Sequence, residues 1–429
     1  MSWTRRVALS LLCVLGASRG SAVAFEAFPL VGDEALGALV VVALRENPQL
    51  QAAQASLEAA RSRVPQAGAL PDPVLTTSYQ NGGRGWSPGS DDDTGLRVGV
   101  AQEFPLGGKR RFAEQVESRE VARAGLRMEN VRRAVEYQVR LAYAQLLLVR
   151  ENLRILEDQR RATRDIEELS RSRYAVGLAD QSDVLRAQAE LARLDQMRLH
   201  QEGLEVSASA DVNRLLARPA ATPVETGARL AALGEREIHP PSLDEVLASV
   251  DMMSSDLAVS AATVARSQAA LELARREGAP NLIAGASYFA RGSPPPMFSV
   301  DLGVVLPLYK GRKQSQAVAE AASRLRSDAA LREATRLLAR AEAEKSLADL
   351  RAALGEADAY AHGVLTVDAL AAESAIAGFQ AGKAPFVAVL EAHNTFYRDR
   401  WQYADLLFHV LWHGARLDSW ILEGSVTLP

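Results

Sequence analysis

Asp405, His409 and His413 recur at intervals of four, so a helix would set one carboxylate and two imidazoles on a single face. Such a donor set suits a divalent metal. No His-Glu-x-x-His pattern accompanies it, however, and the whole chain holds only 6 histidines. Trp401, Leu406, Val410 and Leu417 are interleaved with these residues as on a packed C-terminal helix, and that reading leaves no metal site. Gly82-Gly83-Arg84-Gly85 reads as a loop apex, because no Walker or Rossmann pattern surrounds it. No hydrolase elbow or context-marked pair of carboxylates is present, and the single cysteine, Cys13, lies in the leader. No catalytic residue, no cofactor and no enzymatic role are therefore assigned. A formal net charge of -4 also leaves no basic footprint for a nucleic acid.

Two further motifs could carry function by shape and charge. Tyr174-Ala175-Val176-Gly177-Leu178 and Phe379-Gln380-Ala381-Gly382-Lys383 each set a glycine three residues after an aromatic, where a helix turn begins to close. A glycine there lets the backbone reverse tightly and approach a partner, and it equally serves as an ordinary helix terminator. Asp183 and Glu391 follow these turns within about two helical turns. Carboxylates so placed fit either a solvated helix face or the wall of a narrow bore, where they would attract cations.

The elements that position these residues are written twice. Leu50 matches Leu257, Pro71 matches Pro280, and Tyr79 matches Tyr288. Phe104-Pro105-Leu106-Gly107-Gly108-Lys109-Arg110 matches Leu306-Pro307-Leu308-Tyr309-Lys310-Gly311-Arg312, and the two glycine turns match each other. Five landmarks keep one order with offsets of 202 to 209 residues, which marks a duplication. Residues 25–216 form the first structural repeat and 242–429 the second. Between them, residues 217–241 form a joint whose Pro219, Pro223, Pro240 and Pro241 cannot continue a helix.

Each repeat begins with an amphipathic helix, roughly Gly32 to Ala67 and Ser242 to Glu277. A pair of strands follows, near Pro73 to Tyr79 with Leu96 to Val100, and Leu282 to Phe289 with Phe298 to Val304. Apolar and polar residues alternate along them, and aromatic residues Tyr79, Trp86, Phe104, Tyr288, Phe289 and Tyr309 fall near their ends. The pattern fits tilted outer-membrane strands, and it fits equally a soluble hairpin with one buried face. A long proline-free helical hairpin then completes each repeat. From Phe112 to Tyr174 the first helix runs ~90 Å at 1.5 Å per residue, far beyond globular norms. Val135, Val139, Ala142, Leu146 and Val149 give it an apolar stripe that needs partners along its length.

Membrane insertion has to be carried by the strands, since no stretch approaches 18 uninterrupted apolar residues. Four strands cannot close a barrel, and open edges are intolerable in lipid. Closure therefore calls for several copies, and three would supply 12 strands with the helical hairpins set side by side as a hollow cylinder. Residues 1–24 read as a signal peptide: Arg5 and Arg6, an apolar core from Val7 to Leu15, and a small-x-small site at Ala22-Val23-Ala24. Cys13 sits too early, behind Leu12, to favour lipidation.

Taken together these motifs resemble the TolC-like outer-membrane factor family across nearly all of the mature chain. The resemblance rests on the duplicated plan, on Asn47-Pro48 before its helix, on Phe104-Pro105-Leu106-Gly107-Gly108, and on the two glycine turns. It implies a mainly α fold in which long antiparallel helical hairpins form a trimeric α-barrel. Four strands per protomer contribute to a 12-stranded barrel in outer-membrane lipid. It further implies an equatorial belt near the joint, a long periplasmic extension, and docking to a periplasmic adaptor (membrane fusion) protein that links it to an inner-membrane pump of the resistance-nodulation-division type or similar. By the same resemblance Val176, Gly177, Leu178, Ala381, Gly382 and Lys383 match the adaptor-docking tips. Asp183 and Glu391 are the expected lining of a closed periplasmic aperture; Glu391 matches an acidic position of the family's gate in the second-half helix, while Ala388 departs from the other. Phe-Pro-Leu-Gly-Gly-Lys looks closest to the heavy-metal efflux branch. The expected function is the outer-membrane channel of a tripartite efflux pump that conducts metal cations or drugs passively. The exit duct of a type I protein-secretion system has the same fold and stays open as an alternative. A periplasmic coiled-coil adaptor or scaffold would lack the strand pairs and would carry a lipoyl-like module absent from Arg173 to Asp183.

Overall fold

The computed structural model describes residues 33–82, 93–236, 238–292 and 294–422. The signal segment 1–24, Cys13, Trp86 and residues 83–85 of the glycine-rich loop lie outside the described residues. Two helices, α1 (Glu34–Glu46) and α2 (Pro48–Gly68), lead into β1 (Val74–Gln80) and β2 (Gly95–Pro105). The chain then enters α3 (Lys109–Ala175) and returns along α4 (Gln181–Leu215). After the joint, α5 (Leu243–Met253) and α6 (Ser255–Arg276) lead into β3 (Asn281–Arg291) and β4 (Met297–Val305). The second hairpin is α7 (Gln314–Ala359), a π-helical turn (Tyr360–Val364), α8 (Leu365–Gln380) and the returning α9 (Phe386–Leu422).

The leading helix of each half is broken, where periodicity alone reads it as continuous. Asn47 takes extended backbone angles, φ -66° and ψ 124°, and its side chain accepts the Gln49 N–H at 2.9 Å. Pro48 disfavours helical geometry at the residue before it, so the helix ends and restarts. The Asn47 side chain also donates to the Leu215 carbonyl at 2.9 Å and pins the break to the end of α4. Ser254 repeats the device in the second half, φ -61° and ψ 121°, and accepts from Leu257 N–H.

At 67 residues, α3 is ~100 Å long. Its apolar stripe is buried as the spacing demands, with Val135, Val139 and Leu146 fully enclosed and Ala142 half-buried. These residues belong to the main core, which gathers α1, α3, the end of α4, α5, α7 and α9 around the mid-length of the molecule. The joint is stapled to this level by polar side chains from α3. Tyr143 donates to Asp33 at 2.5 Å and accepts from the Gly227 N–H at 3.1 Å. Burial, reinforced by the Asp33 carboxylate, holds the Tyr143 phenol well above the usual range. Arg150 reaches Glu205, Thr226 and the Val224 carbonyl at 2.8–2.9 Å. A smaller core of Ile166, Ala187, Phe379, Phe386 and Val389 lies toward the hairpin turns. Exposed helix faces carry ladders of ion pairs, and Arg132 with Arg133 lowers the Glu129 carboxyl to about 2.

Strands β1 to β4 form one antiparallel sheet in the order β1-β2-β3-β4, so β1 and β4 are its open edges. The central β2–β3 pair joins the two halves of the chain, with Val98 opposite Tyr288 and Phe104 opposite Leu282. Gly107 makes the corner between sheet and α3. Its φ is +72°, and a Cβ there would come within 2.6 Å of the Ala279 methyl. Lys109 then ties three elements, reaching Asn281 at 2.7 Å and Glu277 at 3.7 Å.

Candidate functional site

Register divides the sheet into two chemically distinct faces, because alternate residues point to opposite sides. One face carries Leu75 and Tyr79 of β1, Leu96, Val98 and Val100 of β2, Tyr288 of β3, and Phe298, Val300 and Leu302 of β4. Phe298 and Val300 are each 80% exposed and Leu302 is 75% exposed. The opposite face carries Thr76, Ser78, Arg97, Glu103, Ser287, Ser299 and Asp301. A water-soluble hairpin would bury its apolar face, whereas here the apolar face is bare and the polar face is turned away from it. Among the described residues no helix is long and apolar enough to cross a membrane. Tyr79 and Phe104 stand near opposite ends of the apolar face. Phe289 does not join them, because strand alternation turns it onto the polar side, where it is buried under the Arg97 guanidinium 5.2 Å away.

At the far end of the long helices the two glycine turns lie side by side. Gly177 has φ +74° and Gly382 has φ +68°. In the first turn Leu178 N–H reaches the Arg173 carbonyl at 2.8 Å and Gly177 N–H reaches Tyr174 at 3.0 Å. The second repeats both bonds, Lys383 to Gly378 at 2.8 Å and Gly382 to Phe379 at 3.0 Å. These paired closures satisfy carbonyls that a helix end leaves open. Arg173 couples the tips by donating to the Gln380 carbonyl at 2.8 Å while lying 4.8 Å above the Phe379 ring. Val176 and Leu178 project into solvent, 69% and 64% exposed, and Ala381, Gly382 and Lys383 are exposed beside them. Nothing in the spacing of the sequence marks Arg173 as this clamp, since its partner lies 207 residues away.

Asp183 and Glu391 occupy the opening turns of α4 and α9, and no hydrogen bond or ion pair between them is present among the described residues. Asp183 is half-buried beside Val184. Glu391 is exposed on the side of α9 opposite the buried Val389 and His393. A polar seam just beyond was not apparent from sequence. His393 lies against the Thr163 hydroxyl at 3.2 Å, and Asn394 bridges Gln159 of α3, 3.4 Å away, to Glu190 of α4, 3.2 Å away. Burial lowers the basicity of the His393 imidazole, partly opposed by the Gln159 carbonyl and Glu190.

The C-terminal histidine row divides between two partners. His409 pairs with Asp405 of its own helix at 3.3 Å, while His413 turns toward Asp349 of α7 at 3.8 Å. Among the described residues no group of three histidines, cysteines or carboxylates converges to hold a metal ion. Leu406, Val410 and Leu417 are buried in the main core.

A family model described as "outer membrane efflux protein" matches residues 39–218 and 250–418. Among solved structures, the outer-membrane channel OprN aligns with a TM-score of 0.77 at 19% identity, covering 91% of each chain. The outer membrane protein VceC of Vibrio cholerae aligns with a TM-score of 0.76 at 20% identity, covering 91% of this chain and 97% of that one. CusC, described in terms of transmembrane channel formation, aligns at 0.77 and 16% identity over 92% and 93%. At such identities the likeness is one of fold. No curated protein sequence matches the chain.

Proposed function

Because the chain belongs to the outer membrane efflux protein family and so to the outer membrane, we propose that it is the outer-membrane channel of a tripartite efflux pump. In this reading it conducts its cargo passively, heavy-metal cations or drugs, from a periplasmic adaptor and an inner-membrane pump to the exterior. The observation that carries the reading is the open four-stranded sheet with a bare apolar face, mounted on long helices of which α3 reaches ~100 Å. Such a sheet is stable in lipid only when both edges are paired. Three chains would meet that need with 12 strands, the edge of β4 in one copy pairing with β1 of the next, apolar face to lipid and polar face to the lumen.

The same rotation sets α3, α4 and α7 to α9 of three copies around a common axis as a periplasmic tube. Residues 25–216 and 242–429 then act as two pseudo-equivalent staves, and the joint 217–241 lies on the equatorial belt. The exposed tips Val176, Gly177, Leu178, Ala381, Gly382 and Lys383 are the docking surface for the adaptor. Asp183 and Glu391 line the aperture they surround. The bare apolar face also disfavours the periplasmic scaffold reading, since such a surface has no place in free solution.

The test is fractionation of the full-length protein from its host. The expected result is a heat-modifiable trimer in the outer membrane whose loss sensitises cells to the pump's substrates. A soluble periplasmic monomer, or a deletion strain with unaltered resistance to metals and drugs and a lost secreted protein, would overturn the efflux assignment.

A further inference from the structure

Charges on the polar face of the sheet are sorted by sign along the strands. Near the β1–β2 and β3–β4 turns this face carries Arg97 and Arg291, whose registers are opposite Phe289 and Gly95. Toward the helices it carries Asp301, opposite Gly285, and Glu103, opposite Ile283. From Arg97 to Ala101, whose level Asp301 shares through Gly285, is four residues of β2, or ~13 Å along the strand. Three of these four charges have local partners. Glu103 accepts from Asn281 at 2.5 Å, Arg291 donates to the Pro295 carbonyl at 2.6 Å, and Asp301 accepts from Ser299 at 3.2 Å. Arg97 is held differently, by the face of the buried Phe289 ring at 5.2 Å. Neither a ring quadrupole nor the neutral hydrogen-bond partners of the other three cancel a charge, and no carboxylate pairs with Arg97 among the described residues.

On the reading of the polar face as the lumen of a closed barrel, we propose that Arg97 is a specificity-determining residue of the channel. Its copies form a cationic ring in the half of the barrel nearer the strand turns, and Asp301 forms an anionic ring on the helix side. A solute leaving the tube meets negative and then positive charge. The outer ring slows free cations and favours anionic or zwitterionic solutes over bare cations of the same size, which within the efflux reading points to drugs and not to bare metal cations. Phe289 serves as the platform that keeps the guanidinium against the wall and the bore open.

Planar-bilayer recording of the purified full-length channel under a KCl gradient tests this. The β1–β2 loop carries Asp91, Asp92 and Asp93 in sequence, so the readout is the change on removing Arg97 and not the absolute selectivity. Arg97→Gln is expected to raise the potassium-to-chloride permeability ratio by roughly five- to tenfold, about threefold from each ion, the scale set by three charges each ~8 Å from the ion in screened water. Asp301→Asn is expected to lower the ratio, and Arg97→Lys to leave it near the wild-type value. Should Arg97→Gln fail to assemble, the Arg97→Cys channel can be treated after insertion with a cationic thiol reagent. Cys13 lies in the segment read as a signal peptide, so the reagent acts at position 97 and should restore the wild-type ratio. An unchanged ratio in conducting Arg97→Gln channels, or no response of Arg97→Cys channels to the reagent, overturns the proposal. A wild-type protein that never inserts into the bilayer as a trimer would instead overturn the channel reading beneath it.

Discussion

Replacing Gly177 and Gly382 separates the backbone demand of the tips from their proposed use as a docking surface. Both residues are left-handed, at φ +74° and +68°, which costs an L-residue ~1–2 kcal/mol. A Cβ at Gly177 meets nothing within 4 Å, and one at Gly382 meets only the Arg173 guanidinium at 3.7 Å. At the Cβ, strain is therefore the main intramolecular cost at both positions, and the Gly177 Cβ stands in open space. Below the turns, the Phe379 and Phe386 rings pack edge to face at 5.8 Å in the small core, and each buried ring contributes ~1.5–3 kcal/mol. The tip thus keeps its shape in Gly177→Ala and in Gly177→Trp alike. Only the tryptophan variants place bulk where an adaptor would contact the backbone. The expected outcome is near-normal resistance with Gly177→Ala, at least a tenfold loss with Gly177→Trp or Gly382→Trp, and heat-modifiable trimers in all three. A tenfold loss corresponds to about 1.4 kcal/mol of binding. Drug and metal susceptibility, cross-linking to the adaptor and trimer mobility on gels read the three quantities. Full resistance in assembled Gly177→Trp and Gly382→Trp trimers would refute docking at the tips.

Three further outcomes follow from the geometry. Tyr143→Phe removes a donor to Asp33 and leaves the Gly227 N–H without its acceptor, so thermal denaturation should show a loss of about 2–4 kcal/mol. Gly107→Val combines a forbidden φ of +72° with a Cβ 2.6 Å from Ala279, and heat-stable trimers should fall sharply, whereas Gly125→Val, where the added atom meets nothing within 4 Å, should leave them intact. His393 is held below its ordinary basicity, so the unfolded chain takes up the proton first. Its contribution is complete above the ordinary histidine range and is lost as pH falls through that value toward the lowered one. Melts at neutral pH and near pH 5 should therefore show a larger drop for wild type than for His393→Gln, and equal drops would exclude His393 as the cause.

Much of the architecture was legible because it is local or periodic. The stripe through Val135, Val139, Leu146 and Val149 announces a helix that must be covered along its length, and those residues are buried. Alternation in Val98, Val100, Val300 and Leu302 announces strands, and the glycines at 177 and 382 announce reversals, because only glycine takes φ near +70° without strain. Short-range patterns were less sufficient where a cap competes with helix continuity. Asn47 and Ser254 break helices that hydrophobic spacing alone would continue, since a side-chain acceptor and a following restart stabilise the extended residue.

Tertiary structure decided whatever depends on residues distant in sequence. Alternation shows that a strand has two faces, but not which is covered. Only the assembled sheet shows Phe298, Val300 and Leu302 bare on one side and Phe289 buried beneath Arg97 on the other. Arg173 becomes a clamp only when a carbonyl 207 residues away is brought to 2.8 Å, and Thr163 meets His393 across a separation of 230. Composition and periodicity specify helix, strand and turn through neighbours within a few residues. Partner choice between remote side chains is set by how those elements pack, and no local pattern encodes it.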